Sequence, residues 1–75
     1  MDIVTANKNF CENTKRLLAK NKIPQYVVAR TAGVSDPILS YMLCGKRFIS
    51  VPVLLAAAEV TGTTPDELLG IKGKE

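Results

Sequence analysis

The chain has 75 residues, a net charge of +3 and 47% apolar side chains. A domain this short buries only roughly 60% of its unfolded surface, so the whole chain, residues 1–75, is expected to be one thin-cored domain with no substrate cavity of its own. With no histidine and seven scattered carboxylates, it lacks the usual general base and the Ser/Cys-His nucleophile pairs, so an enzyme is not expected.

Cys11 and Cys44 are too few to supply the four ligands of a structural zinc site, and neither a metal nor a cofactor is expected. The longest apolar run, Val51 to Ala58, is broken by Pro52 and falls short of the ~20 residues a membrane span needs. The N-terminus, Met1-Asp2-Ile3-Val4, turns polar too soon for a secretory signal. A cytoplasmic location with free thiols is therefore expected, a Cys11–Cys44 disulfide being the alternative.

In chain order, the apolar spacing is helical throughout. Phe10, Thr14, Leu17, Leu18 and Asn21 share one track, which predicts a first helix from Thr5 or Asn7 to Asn21. Lys20 and Lys22 stand at its C-terminal end, where cations complement the helix dipole. Pro24 suits a first turn and predicts a second helix from Pro24 to Thr31 or Ala32, with Val28 and Ala29 inward and Gly33 at the left-handed exit. Val34 plugs the corner. Ser35 is a good N-cap for a third helix from Asp36 to Leu43 or Cys44, with Leu39, Met42 and Leu43 inward and Gly45 ending it.

Lys46-Arg47-Phe48-Ile49 reads as a loop with a basic start. Ser50 caps a fourth helix, Val51 to Thr61, with Leu54, Ala57, Ala58 and Thr61 as its inner track. That assignment leaves Val53, Leu55, Ala56 and Val60 as a candidate dimer patch. Thr64-Pro65-Asp66-Glu67 has capping-box spacing and opens a fifth helix to Leu69, with Leu68 and Leu69 pinned to the core. The expected fold is all-α, five short helices with a core over about 7–69 and a flexible tail at 70–75.

The charge is segregated. Residues 8–47 carry eight Lys and Arg against only Glu12 and Asp36, whereas residues 48–75 carry two against four carboxylates. A basic body of this kind suits a polyanionic partner.

The stretch Gln25 to Arg47 concentrates the functional signal. Two short helices meet at a glycine-containing turn with an apolar plug after it, the requirement of a helix-turn-helix. In register, the chain has Gln25, Val28, Ala29, Gly33, Val34, Ser35, Leu39, Ser40, Met42, Gly45 and Lys46. This string, with Ser50 opening an apolar helix, Gly62-Thr63-Thr64 and Leu68-Leu69, resembles the lambda-repressor-like helix-turn-helix family of phage and bacterial repressor and Cro-type proteins.

The resemblance covers about residues 10 to 69. It implies a transcriptional regulator that reads double-stranded DNA with its third helix, as a homodimer on a palindromic operator. It further implies base reading by Asp36, Pro37, Ser40 and Tyr41, with Cys44 on the same face, and phosphate binding by Gln25, Arg30, Ser35, Lys46 and Arg47.

Two departures stand out. Family members often carry Gln, Arg, Asn or Lys where this chain has Asp36, Pro37 and Tyr41. Asp36 is suited either to accept from cytosine N4 or to complement the helix start, and Pro37 either to touch a thymine methyl or to initiate the helix. Leu18 and Leu43 occupy positions where some phage repressors place a buried ion pair, which predicts an apolar contact instead. The polar-poor third helix and apolar fourth helix also fit an alternative, a protein-interaction module of the same fold, antitoxin- or antirepressor-like.

Overall fold

The computed structural model describes residues 2–71. It holds five helices and, among the described residues, no strand: α1 (Ile3–Lys20), α2 (Gln25–Ala32), α3 (Asp36–Leu43), α4 (Val51–Thr61) and α5 (Pro65–Leu69). No described helix is long and apolar enough to cross a membrane.

α1 starts earlier than the apolar track predicts. Asp2 is its N-cap and accepts from the Thr5 N–H at 2.7 Å and the Thr5 hydroxyl at 3.0 Å, which adds a turn the periodicity does not require. These hydrogen bonds hold the Asp2 carboxyl below the usual carboxylate range. The helix ends at Lys20, so Asn21 is an exposed C-cap rather than an inner residue.

α2 begins at Gln25, with Pro24 as an N-cap that makes no side-chain hydrogen bond. Its exit is a Schellman turn: Gly33 sits at φ 77° and donates to the Arg30 carbonyl, while the Val34 N–H reaches Ala29 at 3.0 Å. Ser35 then caps α3 by accepting from the Ile38 N–H. α4 and α5 begin and end where the sequence predicts, and the Thr64–Glu67 capping box is present.

The core runs through all five helices. Phe10, Val28, Leu39, Leu43, Val53 and Leu68 are its largest fully buried apolar side chains, and Leu18 joins Leu43 in the same cluster. α2 packs against α4, and α1 packs against α3, α4 and α5. The five-residue α5 is too short to hold its own carbonyls. Asn9 and Asn13 of α1 donate side-chain N–H groups to the carbonyls of Leu69 and Leu68, each at 3.1 Å, and tie it down. Gly70 and Ile71 continue this ordered end, with the Ile71 N–H on the Asp66 carbonyl at 2.9 Å, so the expected looseness does not begin at 70. Residues 72–75 of the expected tail lie outside the described residues.

Half of the expected dimer patch is core. Val53 is 0% and Ala56 4% exposed, buried together with Ala57 and Ala58, whereas Leu54 and Thr61 are only half-buried. α4 contacts α1, α2 and α5, so it buries a wider and differently phased face than the sequence predicts. Val-Leu-Leu-Ala-Ala-Ala carries no polar residue to mark that phase. Leu55, 55% exposed, does face outward, and Val60 is half-buried against the core.

Thr14 is fully buried and its hydroxyl has no hydrogen-bond partner. Thr14→Val keeps the shape and removes the orphaned polar group, so it should stabilise the fold by about 1 kcal/mol. A thermal melt checks this, with a rise in Tm of about 4–8 °C expected.

Candidate nucleic-acid interface

The outward side of α3 is set by its inward side. Leu39, Met42 and Leu43 are buried, which leaves Asp36, Pro37, Ser40 and Tyr41 exposed on the opposite face. All four expected base-reading residues therefore share one accessible surface. Asp36 and Pro37 occupy the first turn, where a carboxylate complements the helix dipole and proline costs no hydrogen bond.

The end of α3 brings cations to that surface. Gly45 takes φ 81°, its N–H donates to the Met42 carbonyl at 3.2 Å, and the Lys46 N–H donates to the Tyr41 carbonyl at 3.0 Å. This Schellman turn folds the chain back on the last turn of α3, so that Tyr41, Lys46 and Arg47 line one shallow groove of about 450 Å³. Tyr41 is 50% exposed there. The loop beyond is anchored at its far end, where the Asn7 side-chain oxygen accepts from the Ile49 N–H at 3.0 Å.

Asn7 is a positioning residue that the sequence reading omits. Its signal is its place on the Phe10 and Thr14 stripe, where a polar side chain is buried only if it has a partner.

The other expected phosphate-binding residues, Gln25, Arg30 and Ser35, do not line that groove. Gln25 and Arg30 are exposed on α2, outside the Tyr41 groove. The Arg30 guanidinium stacks 5.0 Å from the centroid of the Tyr26 ring, which holds an otherwise free arginine against α2. Tyr26 is a second residue the sequence reading omits, although the i, i+4 spacing signals the pair. Since Pro24 offers no capping side chain, the first N–H groups of α2 beside Gln25 have no side-chain acceptor from that residue. Ser35 is exposed, and its hydroxyl oxygen accepts from the Ile38 N–H at 3.4 Å.

Chemically, this surface offers hydrogen-bonding groups, one aromatic face and a cationic rim, but no nucleophile–base pair. Among the described residues no group of three or more His, Cys, Asp or Glu is placed to hold a metal ion. No family model matches the chain, and comparisons with curated proteins and with solved structures give no match.

Proposed function

We propose that the chain is a sequence-specific double-stranded DNA-binding transcriptional regulator of the repressor or Cro type, in which α2 and α3 act as a helix-turn-helix and α3 lies in the major groove. The observation that carries this reading is the joining of an exposed α3 face to the Tyr41–Lys46–Arg47 groove. Asp36, Pro37, Ser40 and Tyr41 meet base edges, and Lys46, Arg47, Arg30, Gln25 and Ser35 meet the backbone. Regulation follows from occupancy of an operator, in the cytoplasm and on the chromosome. A homodimer on a palindromic site fits the fold, with Val51 and Leu55 one turn apart and both exposed on α4.

A selection of genomic fragments by the purified chain tests this. Enrichment of a short inverted repeat is expected, with binding that weakens steeply between about 50 and 200 mM salt because roughly three to five phosphates are neutralised per subunit. Enrichment of no sequence, with no salt dependence, favours the protein-interaction module instead. The exposed Phe48, Val51 and Leu55 are the observation that supports that second reading.

A further inference from the structure

The end of α3 carries a second feature that DNA reading does not use. Cys11 lies on the buried face of α1, and its Sγ donates to the Met42 carbonyl at 2.9 Å. The same carbonyl accepts from the Gly45 N–H at 3.2 Å. Cys44 is the residue joined to Gly45, so the Cys11 sulfur sits against the very turn that bears Cys44. Both cysteines line one open groove of about 400 Å³ between α1 and the end of α3. Both are free thiols, Cys11 buried and Cys44 exposed.

Burial pushes the Cys11 thiol up, and the Lys15 ammonium opposes this. Accessibility thus separates the two roles: Cys44 is open to a reagent, and Cys11 is shielded from it but adjacent to its neighbour.

We propose that Cys44 is a thiol-modification site with Cys11 as its resolving partner, so that a low-molecular-weight disulfide converts the pair to an intramolecular disulfide across the end of α3. The Cys44 thiolate attacks one sulfur of the reagent, whose S–S bond breaks and releases one thiolate. Cys11 then gives up its hydrogen bond to Met42 and its proton to water, and attacks the Cys44 sulfur of the mixed disulfide. The second reagent thiolate leaves. The two protein thiols are oxidised, the reagent is reduced to two thiols, and these take up the two protons lost by the cysteines.

Closing the bond draws Cys44 toward Cys11 across the groove that both line. The last turn of α3 and the Gly45-Lys46-Arg47 segment move with it, because the Schellman turn ties them together. The oxidised form therefore binds duplex DNA more weakly, a consequence that rests on the proposed function.

The test treats the full chain with glutathione disulfide and follows intact mass, thiol count and duplex binding. The wild type is expected to lose both thiols as a monomer, two hydrogens lighter and without retained glutathione, reversibly in dithiothreitol. Cys11→Ala should stop at the mixed disulfide. Cys44→Ser, a change at an exposed site that leaves the core intact, should stay unmodified.

Duplex affinity should fall about tenfold on oxidation, as for the loss of one or two phosphate contacts, and the reagent should leave Cys44→Ser binding unchanged. A wild type that rests as a mixed disulfide, or that cross-links between chains, overturns the proposal. An internal disulfide that leaves the affinity of a DNA-binding chain unaltered overturns the regulatory part. If the reduced chain binds no duplex, the DNA reading falls, and mass and thiol count still decide the fate of the pair.

Discussion

Lys46→Ala combined with Arg47→Ala is expected to reduce the slope of log affinity against log salt by about 2, since each lost phosphate contact removes roughly 0.9. Both cations stand just past α3 and face one groove with Tyr41. They are exposed, and replacing them touches no buried side chain, so the fold should be unaffected within about 0.5 kcal/mol. The loss should be similar for every duplex sequence, because backbone contacts fix register without carrying sequence information.

Tyr41→Ala should behave differently. It removes a candidate base contact and is expected to cost about 1–3 kcal/mol on the preferred site while leaving the salt slope nearly intact. Fluorescence anisotropy titrations of the preferred and a scrambled duplex, at several salt concentrations, measure both effects. A double variant with an unchanged slope would remove these two residues from the interface.

Phe10→Ala is expected to cost about 3–5 kcal/mol of stability through lost burial and the cavity left behind. Phe10 is fully buried in the core cluster, to which all five helices contribute. A domain of this size has only of order 5–10 kcal/mol to lose, so the variant should forfeit about half of its stability. Phe48 is the internal comparison. It is the other phenylalanine of the chain and is 58% exposed, so Phe48→Ala should change stability by less than about 0.5 kcal/mol. Urea unfolding of both variants checks the contrast, and equal midpoints would refute the assignment of the core.

The two phenylalanines also mark what can be read from a chain alone. Phe10 belongs to a periodic track in a helix with polar residues on its other side, and that contrast fixes its direction. Phe48 stands in a loop with no period to read. The same distinction runs through the molecule. Ser35, Ser50 and Thr64 announce their helices because capping is a contact between residues three apart, and Gly33 and Gly62 mark exits because backbone sterics are local. The exposed face of α3 follows from its own inner residues, so the placement of Asp36, Pro37, Ser40 and Tyr41 is legible without any partner helix.

The all-α class, the bounds of α3, α4 and α5, and the outward face of α3 can thus be read from the chain alone. Each depends on residues a few positions apart. Tertiary structure alone decided which side of α4 is buried, because an almost wholly apolar helix has no contrast of its own and takes its phase from α1, α2 and α5. It alone brought Asn9 and Asn13 to the end of α5, Asn7 to the loop after α3, and Cys11 to the turn bearing Cys44. These contacts join residues more than thirty positions apart. Helix packing creates them, and no local propensity or period encodes them.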